Sequence, residues 1–140
     1  MKEIQTAASS QGDMILAMTQ TGYSEKAAHY FLTRPHMGRI ADADVVSDFA
    51  GTCGDTMTIY LKLDGETILD VKYEVMGCAG AISAAMAAVD IIKGKELDFA
   101  RNINDGDIFK VLESIPEKKH HCIQLAVKTL HKAIDEHRSK

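Results

Sequence analysis

Two runs of strict alternation constrain this chain more than anything else in it. Met57, Ile59, Leu61 and Leu63 alternate with Thr56, Thr58, Tyr60 and Lys62, and Leu69, Val71, Tyr73 and Val75 alternate with Asp70, Lys72 and Glu74. A strand sends successive side chains to opposite faces, so a period of two predicts two half-buried strands. Asp64-Gly65 between them is a hairpin signal, and the slightly long connection leaves room for a bulge. One face of such a hairpin has to be covered by something apolar. Val45 and Val46 open a third, shorter strand running toward Phe49.

Helices supply the cover. Ser24 is placed to cap a helix that ends at Thr33, since Glu25 suits a first turn and the residue before Pro35 avoids the helical region. Residues 79–93 turn helical and alanine-rich, with Gly94 as the stop. A further helix is expected over residues 107–114, capped by Asn104 or Asp107. In the last, over residues 117–136, Ile123, Val127, Leu130 and Ile134 recur at helical spacing. Residues 1–22 read as an N-terminal extension with one short helix around Met14, Ile15, Leu16 and Met18 that stops by Gly22. Residues 23–140 read as the domain proper. Strands here follow one another instead of alternating with helices. That predicts an α+β fold: a small antiparallel sheet of about three strands with helices packed on one face.

The bulk properties remove whole classes of function. A chain of 140 residues is one domain's worth. Its formal net charge of −4 gives no nucleic-acid footprint. No apolar run reaches the roughly 18 residues a membrane-spanning helix needs. There is no signal-peptide pattern at the start, and three cysteines make an odd count. Both argue against a disulfide framework and for a reducing, cytoplasmic setting, where clustered cysteines bind metal or carry chemistry.

Those cysteines stand in Gly51-Thr-Cys53-Gly-Asp55, Gly77-Cys78-Ala and His120-His121-Cys122. Cys78 sits where a strand pattern gives way to a helix pattern, so exposed N–H groups and the helix dipole favour its thiolate. Cys122 lies near another helix start, with Lys118, Lys119, His120 and His121 beside it, and these are expected to lower its pKa. Three sulfurs with Asp55 or His121 as a fourth ligand fit tetrahedral zinc, or ferrous iron, or a [2Fe–2S] cluster with one non-cysteine ligand. A carboxylate on such a cluster is a poor match for iron, and would ease release. A cysteine hydrolase built on Cys122 would need one thiol and leave Cys53 and Cys78 without work. Each cysteine alone could instead be a small buried hydrophobe, Asp55 a turn cap, and His121 a surface residue. His29, His36, His131 and His137 show no partner in the sequence.

Taken in order, Tyr23-Ser-Glu-Lys26, Arg34-Pro-His-Met-Gly38, Cys53-Gly-Asp55, Gly77-Cys78 with Ala81-Ile82, Lys93-Gly-Lys95 and Lys119-His-His-Cys122 resemble the IscU/NifU family of iron–sulfur cluster assembly scaffolds. The resemblance covers residues 23–140. It implies a scaffold or carrier that performs no turnover of its own. Such a scaffold takes persulfide sulfur from a cysteine desulfurase, adds iron, builds a transient, labile [2Fe–2S] cluster and passes it to apo iron–sulfur recipient proteins. It further implies that Cys53, Cys78 and Cys122 are the sulfur and metal ligands. Asp55 would govern lability, His121 would precede the last ligand, and Cys122 would be the persulfide acceptor. Zinc at the same site fits this implication, and a zinc-bound sulfur relay that builds no cluster is the alternative reading. A homodimer is a candidate state when the cluster is bound. Isc-type scaffolds carry Leu-Pro-Pro-Val-Lys where an Hsp70-type chaperone grips; here the stretch is Ile115-Pro-Glu-Lys-Lys119, so the resemblance does not extend to that partner. The interval from Cys78 to Cys122 also lacks the insertion of SufU-type zinc sulfurtransferases, and the chain reads as a stand-alone module.

Overall fold

The computed structural model describes residues 12–52 and 54–140. Helix α1 occupies residues 12–20, and α2 follows over Glu25–Thr33. Three strands come next: β1 (Val45–Ala50), β2 (Thr56–Asp64) and β3 (Thr67–Met76). Helices α3 (Ala79–Ile92), α4 (Leu97–Arg101) and α5 (Asp105–Leu112) lead through a single 3₁₀ turn, Glu117–Lys119, into α6 (His120–Arg138). The sheet is antiparallel throughout, in the order β1-β2-β3. The α+β expectation therefore holds.

The alternation in β2 is realised as read. Met57, Ile59 and Leu61 are fully buried on the face that α6 covers. In β3 the pattern breaks at its first residue. Leu63 pairs with Ile68 but Lys62 pairs with Asp70, so Leu69 is the extra residue of a β-bulge. Ile68 takes the inward place and is fully buried, while Leu69 is 50% exposed. Beyond the bulge Val71 and Tyr73 return to the core face. On the outer face Tyr60 donates to Glu74, which also pairs with Arg39 at 3.0 Å.

Helix α3 is buried around nearly its whole circumference, because its small side chains let α2, α6 and the sheet all approach it. Its one buried hydroxyl, Ser83, donates to the Ala27 carbonyl at 2.7 Å, which removes the cost of burying a polar group. Ser24 caps α2 by accepting from the Ala27 N–H at 2.9 Å, and also donates to the Leu112 carbonyl at the end of α5. A reciprocal capping box between Asn104 and Asp107 starts α5 two residues earlier than the sequence suggests. The short α4 escaped the pattern altogether; five residues are too few to show a period, and it is held by burial of Leu97 and Ala100.

The turn after α1 is tied to the segment before α6. The Ser24 N–H donates to the Ser114 carbonyl at 2.7 Å, the Ser114 hydroxyl donates to the Gly22 carbonyl at 2.7 Å, and Gly22 (φ 113°) lies against Pro116. This clamp sets the approach to α6, and with it one wall of the site. Among the described residues no helix is long and apolar enough to cross a membrane.

Candidate metal and sulfur site

Three chain segments meet where the sequence places its cysteines. The β1–β2 connection brings Asp55, the β3–α3 junction brings Cys78, and the first turn of α6 brings His121 and Cys122. Cys53 lies outside the described residues. The connection closes tightly, with the Gly51 N–H donating to the Asp55 carbonyl at 2.7 Å and Gly54 at φ 91°, a conformation that favours glycine.

The Cys78 thiol donates to Asp55 Oδ2 at 3.6 Å, and its Sγ is 3.5 Å from Cys122 Sγ. On its other side Cys122 Sγ lies 3.6 Å from His121 Nε2. Asp55, His121 and Cys122 each offer a ligand atom, all within 4.8 Å of one another. Asp55 and His121 are thus both within reach of the same centre. Zinc bonds of 2.0–2.3 Å, taken at tetrahedral angles, put neighbouring ligand atoms about 3.3–3.8 Å apart. Three neighbouring pairs stand at that spacing, the group of Asp55, His121 and Cys122 lies within the looser 4.8 Å, and the oxygen, nitrogen and sulfur chemistry suits a borderline metal.

Cys78 occupies the N-cap of α3 with an extended backbone and makes no side-chain capping bond. Its half-buried thiol thus sits at the positive end of the helix dipole. Cys122 is different. It is fully buried, and its thiol is pushed well above the ordinary value by burial first, then by Cys78 and Asp55; Lys119 alone pulls it back. The expectation that basic neighbours make Cys122 a ready thiolate is therefore reversed. Desolvation outweighs them, and the basic run does not converge on the sulfur. His120 turns away to stack on Phe109, with ring centroids 5.3 Å apart, because successive helix positions point about 100° apart. Lys118 and Lys119 lie in the 3₁₀ turn and not in the first turn of α6.

Two residues of the site carried no donor signal in the sequence. Tyr23 is almost buried beside both thiols, with its oxygen facing the Gly80 N–H. Burial and then the two cysteines push its pKa up to about 12. Gly80 makes the convergence possible: a Cβ there would meet Lys119 Cβ at 3.2 Å and Cys122 Sγ at 3.3 Å. A missing side chain leaves no trace in a search for ligands. Of the histidines left without partners, His36 pairs with Asp90 at 2.8 Å and His131 faces the Ile103 carbonyl at 3.1 Å, both away from the site.

Known proteins resemble this chain in sequence and in fold. The chain is 37% identical over 113 residues, 80% of its own length and 74% of the relative's, to the iron-sulfur cluster assembly scaffold protein IscU 1 of Archaeoglobus fulgidus. It is 35% identical over 121 residues to the iron-sulfur cluster assembly scaffold protein IscU of Aquifex aeolicus, covering 84% of this chain and 77% of that one. In three dimensions it superposes on the N-terminal part of a nitrogen-fixing NifU-like protein from Brucella abortus with a TM-score of 0.68, at 20% identity, covering 84% of this chain and 94% of that one. Residues 22–140 match the family described as the NifU-like N terminal domain. With that match over most of its length, the chain belongs to the NifU-like N-terminal domain family.

Proposed function

We propose that this protein is a scaffold on which iron–sulfur clusters are assembled and from which they are handed on. The observation that carries the proposal is the convergence of Asp55, Cys78, His121 and Cys122 from three separate segments, with neighbouring donor atoms 3.5–3.6 Å apart. Relatives named as scaffold proteins support the same reading.

In this reading a cysteine desulfurase delivers sulfane sulfur as a persulfide. A scaffold thiolate attacks the outer sulfur, the desulfurase thiolate leaves, and the scaffold cysteine becomes the persulfide. Iron then binds, and ferrous iron together with an external reductant supplies the electrons that turn sulfane sulfur into sulfide. The product is a [2Fe–2S] cluster, which is cargo and not a resident cofactor, so the protein acts as a carrier and not as an enzyme. Cys78, Cys122 and Cys53 are its sulfur ligands, and Asp55 and His121 the remaining donors.

Cys122 is the proposed persulfide acceptor. It is buried behind Cys78 and Asp55, so acceptance requires those two side chains to swing aside. Asp55 is a hard ligand on a soft cluster and keeps the cargo labile. Residues 115–119, which depart from the chaperone-binding pattern, are tied to the turn after α1, and we propose a handover to recipient proteins in the cytoplasm that needs no Hsp70-type partner.

A zinc-bound sulfur relay uses the same donors, and the mixed set of Asp55, His121 and Cys122 favours it as the second reading. One experiment separates them. The protein is treated anaerobically with ferrous iron, cysteine and a desulfurase, and its visible spectrum, iron and sulfide are measured. A sulfide-to-iron charge-transfer band with equal iron and sulfide, lost on transfer to an apo-ferredoxin, is the expected result. A colourless protein that keeps one zinc would overturn the scaffold reading in favour of the relay.

A further inference from the structure

We propose that Gly77 is a positioning residue for this site: its missing side chain is what lets the Asp55 carboxylate lie against Cys78, and filling that space drives Asp55 out of the donor set. The proposal rests on the reading of Asp55 as a donor.

A Cβ built on Gly77 would stand 2.7 Å from Asp55 Cγ and 3.0 Å from both its Cβ and Oδ1, the tightest such approach at any glycine of the chain. The reason lies in the register. Thr56 pairs with Met76 at the end of the β2–β3 ladder, so Asp55 and Gly77 face each other one step beyond it. Directly opposed residues in an antiparallel pair normally hold their Cβ atoms about 4.5–5.5 Å apart. Here the two backbones pinch together past the last rung, and only a glycine fits.

Backbone conformation does not demand a glycine at 77, because its φ lies outside the left-handed region. Gly54 is the contrast: it has φ 91° and nothing near the place of its Cβ. The first glycine serves space and the second serves shape. Asp55 also cannot retreat as a whole. Its carbonyl is held by the Gly51 N–H at 2.7 Å, and its neighbour Thr56 is fixed in the sheet. What remains free is rotation of the side chain, which carries the carboxylate off Cys78.

The test compares Gly77→Ala, Asp55→Gly and the double variant in the full chain. Asp55→Gly removes all three atoms that the new Cβ would strike. Zinc affinity is read by competition with a chromophoric chelator, Co²⁺ binding by its ligand-field bands, and folding of the metal-free chain by thermal unfolding. Each single variant is expected to bind zinc at least about tenfold more weakly, with the same altered Co²⁺ bands, and the double variant to match Asp55→Gly alone. Wild-type binding by Gly77→Ala, beside weakened Asp55→Gly, would overturn the proposal while leaving Asp55 a donor. So would a double variant weaker than Asp55→Gly by the whole Gly77→Ala factor. Unchanged binding by Asp55→Gly would instead remove Asp55 from the site. If Gly77→Ala does not fold, recovery of cooperative unfolding in the double variant supports the proposal, and failure to recover overturns it.

Discussion

Replacing Asp55 by asparagine removes one negative charge beside Cys122 and keeps nearly the same bulk, so it isolates the electrostatic part of what holds that thiol neutral. The carboxylate oxygen and Cys122 Sγ are within 4.8 Å. A carboxylate and a thiolate at that separation repel by about 0.9 kcal/mol in bulk water, and by about 3.5 kcal/mol at an effective dielectric of about 20. These limits correspond to about a 4-fold and about a 300-fold larger thiolate fraction at pH 7. A thiol of lower pKa is also a weaker nucleophile, with about half the gain lost on a logarithmic scale. The rate of alkylation at Cys122 should therefore rise between about 2-fold and about 17-fold. The assay is timed iodoacetamide labelling of the metal-free, reduced protein, with Cys122 quantified by peptide mass spectrometry. Because Cys122 is buried, raising the salt should remove little of the gain. An Asp55→Asn rate equal to wild type, beside a faster Asp55→Ala, would show that Asp55 blocks access and does not act by charge, and would refute this reasoning.

Other outcomes follow from the same geometry. Cys122 holds its proton above the ordinary thiol value of 9.0 when folded, so the metal-free chain binds more protons than the unfolded one above that pH. The stability this contributes is complete below about pH 9 and is lost as pH rises from there toward the folded value, costing about 1.4 kcal/mol between pH 8 and pH 10. Urea unfolding should show that loss in the wild type and not in Cys122→Ser. Zinc binding must displace the Cys122 proton, so calorimetry in two buffers of different ionisation enthalpy should count one proton more for the wild type than for Cys122→Ser. Ser24→Ala removes the cap of α2 and its bond to Leu112, and should lower the urea-derived stability by about 1–2 kcal/mol; a change below about 0.3 kcal/mol would contradict the capping geometry.

The parts of the fold that were legible are those where a period runs long enough to be counted. The hairpin and α6 are of this kind, because their core faces bury side chains at fixed intervals; α3 was read instead from its run of small residues and Gly94, and β1 from no more than Val45 and Val46. Leu69 was misplaced for the opposite reason. Ile68 and Leu69 are both apolar, so a bulge that shifts the register by one residue leaves the composition unchanged, and only pairing with Leu63 decides which points inward. Among the candidate donors, Asp55, Cys78, His121 and Cys122 were legible because each stands beside a glycine or a helix start. The ionisation of Cys122 was not, because desolvation is a property of everything packed around the sulfur. Nor could adjacency in sequence tell His120 from His121; the helix turns one onto Phe109 and the other toward the site.

Burial of Cys122 and the close spacing of the donors have one explanation. Neighbouring donors among two thiols and a carboxylate stand 3.5–3.6 Å apart, and the Cys78 thiol donates to Asp55. Deprotonation would set like charges together in a partly desolvated corner, at a cost that water cannot fully screen. A bound cation would remove the same repulsion. On the scaffold reading, cargo would enter by displacing those protons. The glycines at 77 and 80 serve that geometry by letting the Asp55 carboxylate and the start of α6 close in on the N-terminus of α3. On the scaffold reading, a hard carboxylate suits a site that loads and releases its cargo better than one built for permanent retention.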